Sequence, residues 1–211
     1  MIKCVVFDFD GTLVESNEIK RRVFYEVTKN IAGADLILDK LFSTPDHGDR
    51  YSIFNTLIRN LNKTNKPDIN SIYLSDLYTN ICEHEISKTP EVSGALSTLK
   101  ELKRRKIKIL VSSATPVKTL KRIIKMRGWS DLFEGVMGSP ESKEDHLKSI
   151  LSLNNYSLSE VVYVGDSEMD QKASLSIGCK FIGIGSDWSR FNTRPVVLLS
   201  TLEKLIRELK L

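Results

Sequence analysis

The sequence lacks most of what would mark it for a membrane, a secretory route or nucleic acid. No apolar run approaches the ~20 residues needed to cross a bilayer. The apolar stretch Cys4–Phe7 is short and runs into Asp8 and Asp10, which does not suit a secretory signal. Only three cysteines occur, Cys4, Cys82 and Cys179. They are scattered, odd in number and without metal-ligand spacing, so reduced thiols in a cytoplasmic protein are expected. Charge of one sign is scarce too: 31 Lys and Arg against 27 Asp and Glu leave +4. A nucleic-acid binder usually shows a larger, clustered surplus. Internal repeats and low-complexity tracts are absent. What remains is ordinary for a globular chain: 211 residues, 41% hydrophobic and 27% charged, which fits one domain or one with a large insertion.

Strands and helices alternate through most of the chain. Ile2–Phe7 is a continuous apolar, β-branched run, the pattern of a strand buried on both faces of a parallel sheet. Ile107–Val111, Val161–Val164 and Phe181–Ile184 repeat it, with weaker candidates at Phe133–Met137 and Val196–Leu199. Between them, Val92, Ala95, Leu96, Leu99 and Leu102 predict a helix over Glu91–Arg105, with Pro90 just ahead. Pro116–Arg127 predicts another, with Pro116 in its first turn and Gly128 to end it. This order implies right-handed βαβ units, hence an α/β, Rossmann-like parallel sheet with helices on both faces.

The alternation breaks after the first strand. Glu15 to about Thr89 offers no strand but several helices, at Glu18–Ile31, Tyr51–Leu61 and Ile72–Ile86, with an Asn- and Lys-rich loop over Asn60–Asn70. Such a length exceeds any ordinary βαβ crossover. Residues 15–89 are therefore expected to form an inserted all-helical cap, and residues 1–14 with 90–211 the core.

Acidic residues at strand ends carry the chemistry. In Asp8-Phe9-Asp10-Gly11-Thr12 the two aspartates stand two apart and converge on one side, and Gly11 permits a sharp turn. Close carboxylates repel and call for a cation or a shared proton. A second cluster, Asp166 and Asp170, ends the run Val161–Gly165. Either pair alone could be a helix cap; two clusters at the carboxyl ends of parallel strands suggest a ligand site. Mg²⁺ takes a few such oxygens together with water and substrate phosphate. Ser112-Ser113-Ala114-Thr115-Pro116 adds hydroxyls and amide groups where a strand meets a helix, a place suited to an anion. Lys143 follows the next strand candidate.

In this order the chain resembles the haloacid dehalogenase superfamily, in its phosphatase branch with a helical cap inserted after the first strand. The resemblance covers essentially the whole chain and rests on Phe7-Asp8-Phe9-Asp10-Gly11-Thr12-Leu13 and Val164-Gly165-Asp166-Ser167-Glu168-Met169-Asp170. It implies a phosphomonoester hydrolase of a small phosphorylated metabolite, of phosphoglycolate or sugar-phosphate type, working through an aspartyl-phosphate. Asp8 would be the nucleophile and Asp10 the general acid and base. Ser112 would bind phosphoryl oxygens and Lys143 would neutralise them, with Lys148 the alternative lysine, because Glu144-Asp145-His146 stands where members often carry proline. Mg²⁺ would be held by Asp8, Asp166 and the backbone carbonyl of Asp10, with Asp170 supporting them. Dehalogenases of the superfamily lack the second aspartate, so Asp10 favours phosphate chemistry. A phosphotransferase of the sugar-phosphate mutase kind shares every motif. A binding protein that keeps the fold without turnover is a third reading.

Further candidates for substrate contact are Gly11, Thr12 and Ser113, with His47 and Arg50 in the segment before Tyr51. An arginine there could grip a second anionic group, although a solvated turn explains the same residues. His47, His84 and His146 lack zinc spacing and are expected at the surface or in the cap. The basic run Lys100–Lys108 suits a helix C-terminus. No nucleic-acid or membrane partner is expected, and the chain is expected to be a monomer or weak homodimer.

Overall fold

The computed structural model describes residues 1–43, 48–61 and 70–211. The expected loop at Asn60–Asn70 falls largely outside them. The chain divides into two compact units, residues 1–15 with 87–211, and residues 16–86.

In the first unit, six parallel strands form one sheet: β1 (Cys4–Phe7), β2 (Lys108–Pro116), β3 (Gly135–Ser139), β4 (Val161–Gly165), β5 (Lys180–Ile184) and β6 (Leu198–Leu199). Their order is β3-β2-β1-β4-β5-β6, so β1 is central. Its four residues are fully buried, as their apolar run requires. Phe7 pairs with Val111 on one side and Val164 on the other. The carboxyl ends of β1, β2 and β4 thus lie side by side where the strand order reverses, the position at which open α/β sheets bind ligands.

Helices of this unit bury one stripe each. Ala95, Thr98, Leu99 and Leu102 line Ala95–Arg104, and Thr119, Leu120, Ile123 and Ile124 line Val117–Met126. Helices at Lys143–Asn154 and Glu168–Ile177 follow β3 and β4, and a short one at Leu205–Glu208 ends the chain. Two expected boundaries move. The helix expected from Glu91 begins at Ala95, because Val92 N–H donates to Leu13 O (3.0 Å) and Glu91 bridges Val14. Pro116 ends β2 and precedes its helix instead of opening it, for its ψ of 135° is extended.

The second unit is helical: α1 (Asn17–Thr28), α2 (Ala34–Leu41), α3 (Arg50–Leu61) and α4 (Ser71–Ile86). In chain order, those of the first unit are α5 to α9. No strand occurs among its described residues. Aromatic residues form its centre, with Phe24 4.3 Å from Tyr78 and 5.0 Å from Phe54, ring centroid to ring centroid. Each such pair adds about 0.5–1.5 kcal/mol beyond its buried area. Helix α2 had no counterpart in the sequence reading, its eight residues being too short for a clear periodicity.

No described helix is long and apolar enough to cross a membrane.

Candidate active site

Asp8, the first residue past β1, is held by its own N–H donating to Val164 O (2.9 Å). Gly11, at φ 75°, then turns the chain back, and its N–H donates to Val14 O (2.7 Å). That turn leaves Asp8 and Asp10 buried at 5% and 7% exposure. From β4, Asp166 (2% exposed) receives the Thr12 hydroxyl at 3.2 Å on Oδ1. Asp170 lies in the first turn of α8 and forms a capping box with Ser167, its Oδ2 accepting the Ser167 hydroxyl at 2.5 Å and amide at 3.1 Å. Gly165 makes room for it, since a Cβ there would fall 2.4 Å from the Asp170 Cγ.

Asp8, Asp166 and Asp170 each offer an oxygen within 4.8 Å of the others'. Three buried carboxylates of this kind fit a hard divalent cation. Burial raises the Asp8 pKa well above the usual carboxylate range, and Asp170, Asp166 and Asp10 add to the effect, while Lys143 offsets part of it. A cation beside Asp8 would favour its ionised form. The side chain of Asp10 turns elsewhere: its Oδ2 accepts the Thr115 hydroxyl at 2.9 Å and the Ser113 hydroxyl at 3.3 Å.

Lys143 opens α7 and sends its ammonium into the cluster, 3.0 Å from Asp8 Oδ1 and 2.6 Å from Asp170 Oδ1. Burial alone would lower its pKa, but the Asp170 and Asp8 carboxylates outweigh that and hold it well above the ordinary lysine value. Lys148, the alternative, stands at the surface with its side chain 62% exposed, 3.8 Å from Asp145.

The two adjacent serines point opposite ways, as consecutive strand residues must. Ser113 meets Asp10, whereas the Ser112 Oγ lies 2.9 Å from His146 Nδ1. Of the two serines, Ser113 is therefore the one on the Asp10 side of β2. His146, expected at the surface or in the cap, is instead 5% exposed beneath the sheet end, with its pKa lowered chiefly by burial. Tyr163 completes this layer by donating to Ser112 O at 3.0 Å. Thr12 and Gly11 serve the turn and Asp166. Arg50 lies in the helical unit, its guanidinium 4.5 Å above the Tyr51 ring. His47 lies outside the described residues.

Two contacts escaped the sequence. Thr115 on Asp10 needed the strand's facing to be known. Arg190 donates to Asp166 Oδ2 at 2.5 Å from an irregular segment after β5, with no motif to mark it. The Ser167–Asp170 capping box, by contrast, is readable as a spacing of three.

The chain belongs to the haloacid dehalogenase-like hydrolase family, whose model matches residues 5–184. The family expected from the aspartate motifs is the one found, on the expected parallel α/β sheet. Among curated relatives, a phosphoglycolate phosphatase of Psychrobacter arcticus is 24% identical over 195 residues, spanning 85% of this chain and 82% of its own. Two solved structures share the fold, both of CbbY from Rhodobacter sphaeroides and both 18% identical. The complex with phosphate has a TM-score of 0.80 and covers all of both chains. A variant bound to xylulose-1,5-bisphosphate has a TM-score of 0.78, over 97% of this chain and 96% of its own.

Proposed function

We propose that this hydrolase cleaves the phosphomonoester of a small phosphorylated metabolite by way of an aspartyl-phosphate on Asp8. One observation carries the reading: Lys143 joins Asp8 to Asp170 within 3.0 Å, with Asp166 beside them. Such a constellation places a nucleophilic carboxylate, a fixed positive charge and cation-binding oxygens at one point.

The Asp8 oxygen attacks phosphorus as the bond to the ester oxygen breaks, and Asp10 gives its proton to the departing alkoxide. Water then attacks the aspartyl-phosphate, Asp10 takes its proton, and phosphate leaves with Asp8 restored. Ser113, on the Asp10 side of β2, is assigned the phosphoryl contact in place of Ser112. Asp8 and Asp166 would hold Mg²⁺ with the Asp10 carbonyl, as the family resemblance implies, while Asp170 fixes Lys143. When bound, such an ion would neutralise charge between Asp8 and the phosphate dianion.

Glycolate and sugar phosphates lead the choice of substrates, after the names of the relatives. The test is Mg²⁺-dependent phosphate release from phosphoglycolate, a sugar bisphosphate and p-nitrophenyl phosphate. No release from any of them would overturn the reading, and a long-lived phosphoenzyme that passes phosphate between sugar positions would make it a mutase. Asp10→Asn should lower kcat on alkyl phosphates about 10²–10⁴-fold. With p-nitrophenyl phosphate the same variant should show a burst of one nitrophenolate per site, since that leaving group needs no proton. A variant with unchanged steady-state rates would remove Asp10 from the proton path. Ser113→Ala should cut kcat/KM by about tenfold, as one lost hydrogen bond to a charged group does, and Ser112→Ala should not. The reverse pattern would restore Ser112.

A further inference from the structure

Arg190 stands apart from the other groups on the acidic cluster. Asp166 receives a neutral hydroxyl, that of Thr12, on Oδ1 and a full positive charge, that of Arg190, on Oδ2. The two cations of the cluster are held very differently. Lys143 is fixed at the start of α7, its side chain 11% exposed and bound by two carboxylates. Arg190 projects from a three-residue turn, Trp188–Arg190, with its side chain 35% exposed and Asp166 as its carboxylate partner.

The backbone around Arg190 is anchored without its side chain. Asp187 Oδ1 accepts Ser189 N–H at 2.8 Å, Glu168 Oε2 accepts Asn192 N–H at 2.8 Å, and Phe191 is buried in the core. The guanidinium can thus leave Asp166 while the turn stays in place. A divalent ion held by Asp8 and Asp166 would bring a second positive charge to the carboxylate that Arg190 occupies, and like charges repel in a partly buried site.

We propose that Arg190 is a displaceable counter-charge for Asp166: it neutralises the cluster when no divalent cation is bound, and must leave Asp166 Oδ2 as one binds. This deepens the metal-site reading given above and rests on it. Arg190 therefore sets the cation affinity of the site, holding it weaker than the carboxylates alone would make it.

Calorimetric titration with Mg²⁺ tests this without turnover. Arg190→Ala should lower the Kd about tenfold, the loss of one charged hydrogen bond that opposes binding. Arg190→Lys, which keeps the charge, should stay near wild type. Arg194→Ala removes a positive charge nearby in sequence and should leave the Kd unchanged. Thermal melts give the matching readout: in EDTA, Arg190→Ala should melt below wild type, and added Mg²⁺ should raise its Tm by more. An unchanged or higher Kd in Arg190→Ala would overturn the proposal and make Arg190 a residue that holds Asp166 for the ion. An equal gain in Arg194→Ala would overturn it as well, leaving only a net-charge effect. The underlying reading fails separately, if Asp166→Asn binds Mg²⁺ as wild type does or no heat is seen with any variant.

Discussion

Asp8→Asn should abolish turnover and, in EDTA, raise the melting temperature. An amide is a far poorer nucleophile than a carboxylate, so kcat should fall at least ~10⁴-fold. The stability gain follows from the sign of the Asp8 shift. Burial, then the neighbouring carboxylates, raise its pKa in the folded chain. A carboxyl raised above its unfolded value of about 3.9 stabilises the fold most below that value. That contribution is lost as pH rises through the folded value, so at neutral pH an ionised Asp8 costs stability. Asparagine removes the cost and leaves Lys143 its contact with Asp170 at 2.6 Å. The Tm difference should therefore be larger at pH 8 than at pH 5, at roughly 2–4 °C per kcal/mol for a chain of this size. Melting curves in EDTA across that range decide it. A Tm gain that ignores pH, or a variant that still turns over, would contradict the account of Asp8.

Lys143→Met should be damaging twice over. Removing one partner of a buried ion pair leaves the others uncompensated, a loss of about 3–5 kcal/mol. Here Asp8 and Asp170 would be left facing each other. Because those carboxylates raise the Lys143 pKa in the folded chain, its contribution is present throughout the neutral range and is lost only at strongly alkaline pH. The activity loss should reach about 10²–10³ in kcat, as for removal of one charge-stabilising donor. Mg²⁺ should recover part of the Tm and little of the rate, since the ion replaces charge but not the ammonium's position. Lys148→Ala, at the surface, should change stability by less than about 0.5 kcal/mol and leave kcat alone. Chemical denaturation and steady-state kinetics of the two variants separate the lysines. Equal losses in both would remove Lys143 from the site.

The parts of the site legible in the sequence share a local cause. Asp8 and Asp10 follow a strand whose four residues are all buried, and that apolar run both forms the central strand and delivers the carboxylates to its end. Asp166 and Asp170 were readable for the same reason, as acids that follow the apolar run Val161–Gly165. The family resemblance points to Ser112, yet Ser113 is the one that meets Asp10: adjacent strand residues face opposite ways, and no apolar count shows which side Asp10 will occupy. His146 was misplaced because a lone histidine carries no periodic signal. Its burial comes from the packing of α7, and its contact with Ser112 spans 34 positions. Helix α5 began later than its stripe suggested, since Glu91 and Val92 pair with the turn around Val14.

By itself, then, the order of residues determined the alternation of strands and helices, the insertion after β1 and the family. Each of those depends on patterns within a dozen neighbours or on strongly apolar runs. Only the tertiary structure decided which serine meets Asp10, that Lys143 and not Lys148 reaches Asp8, and that Arg190 sits on Asp166. Those pairings join residues 24 to 135 positions apart, and a sheet brings them together through strand order and facing, which no short stretch of chain encodes.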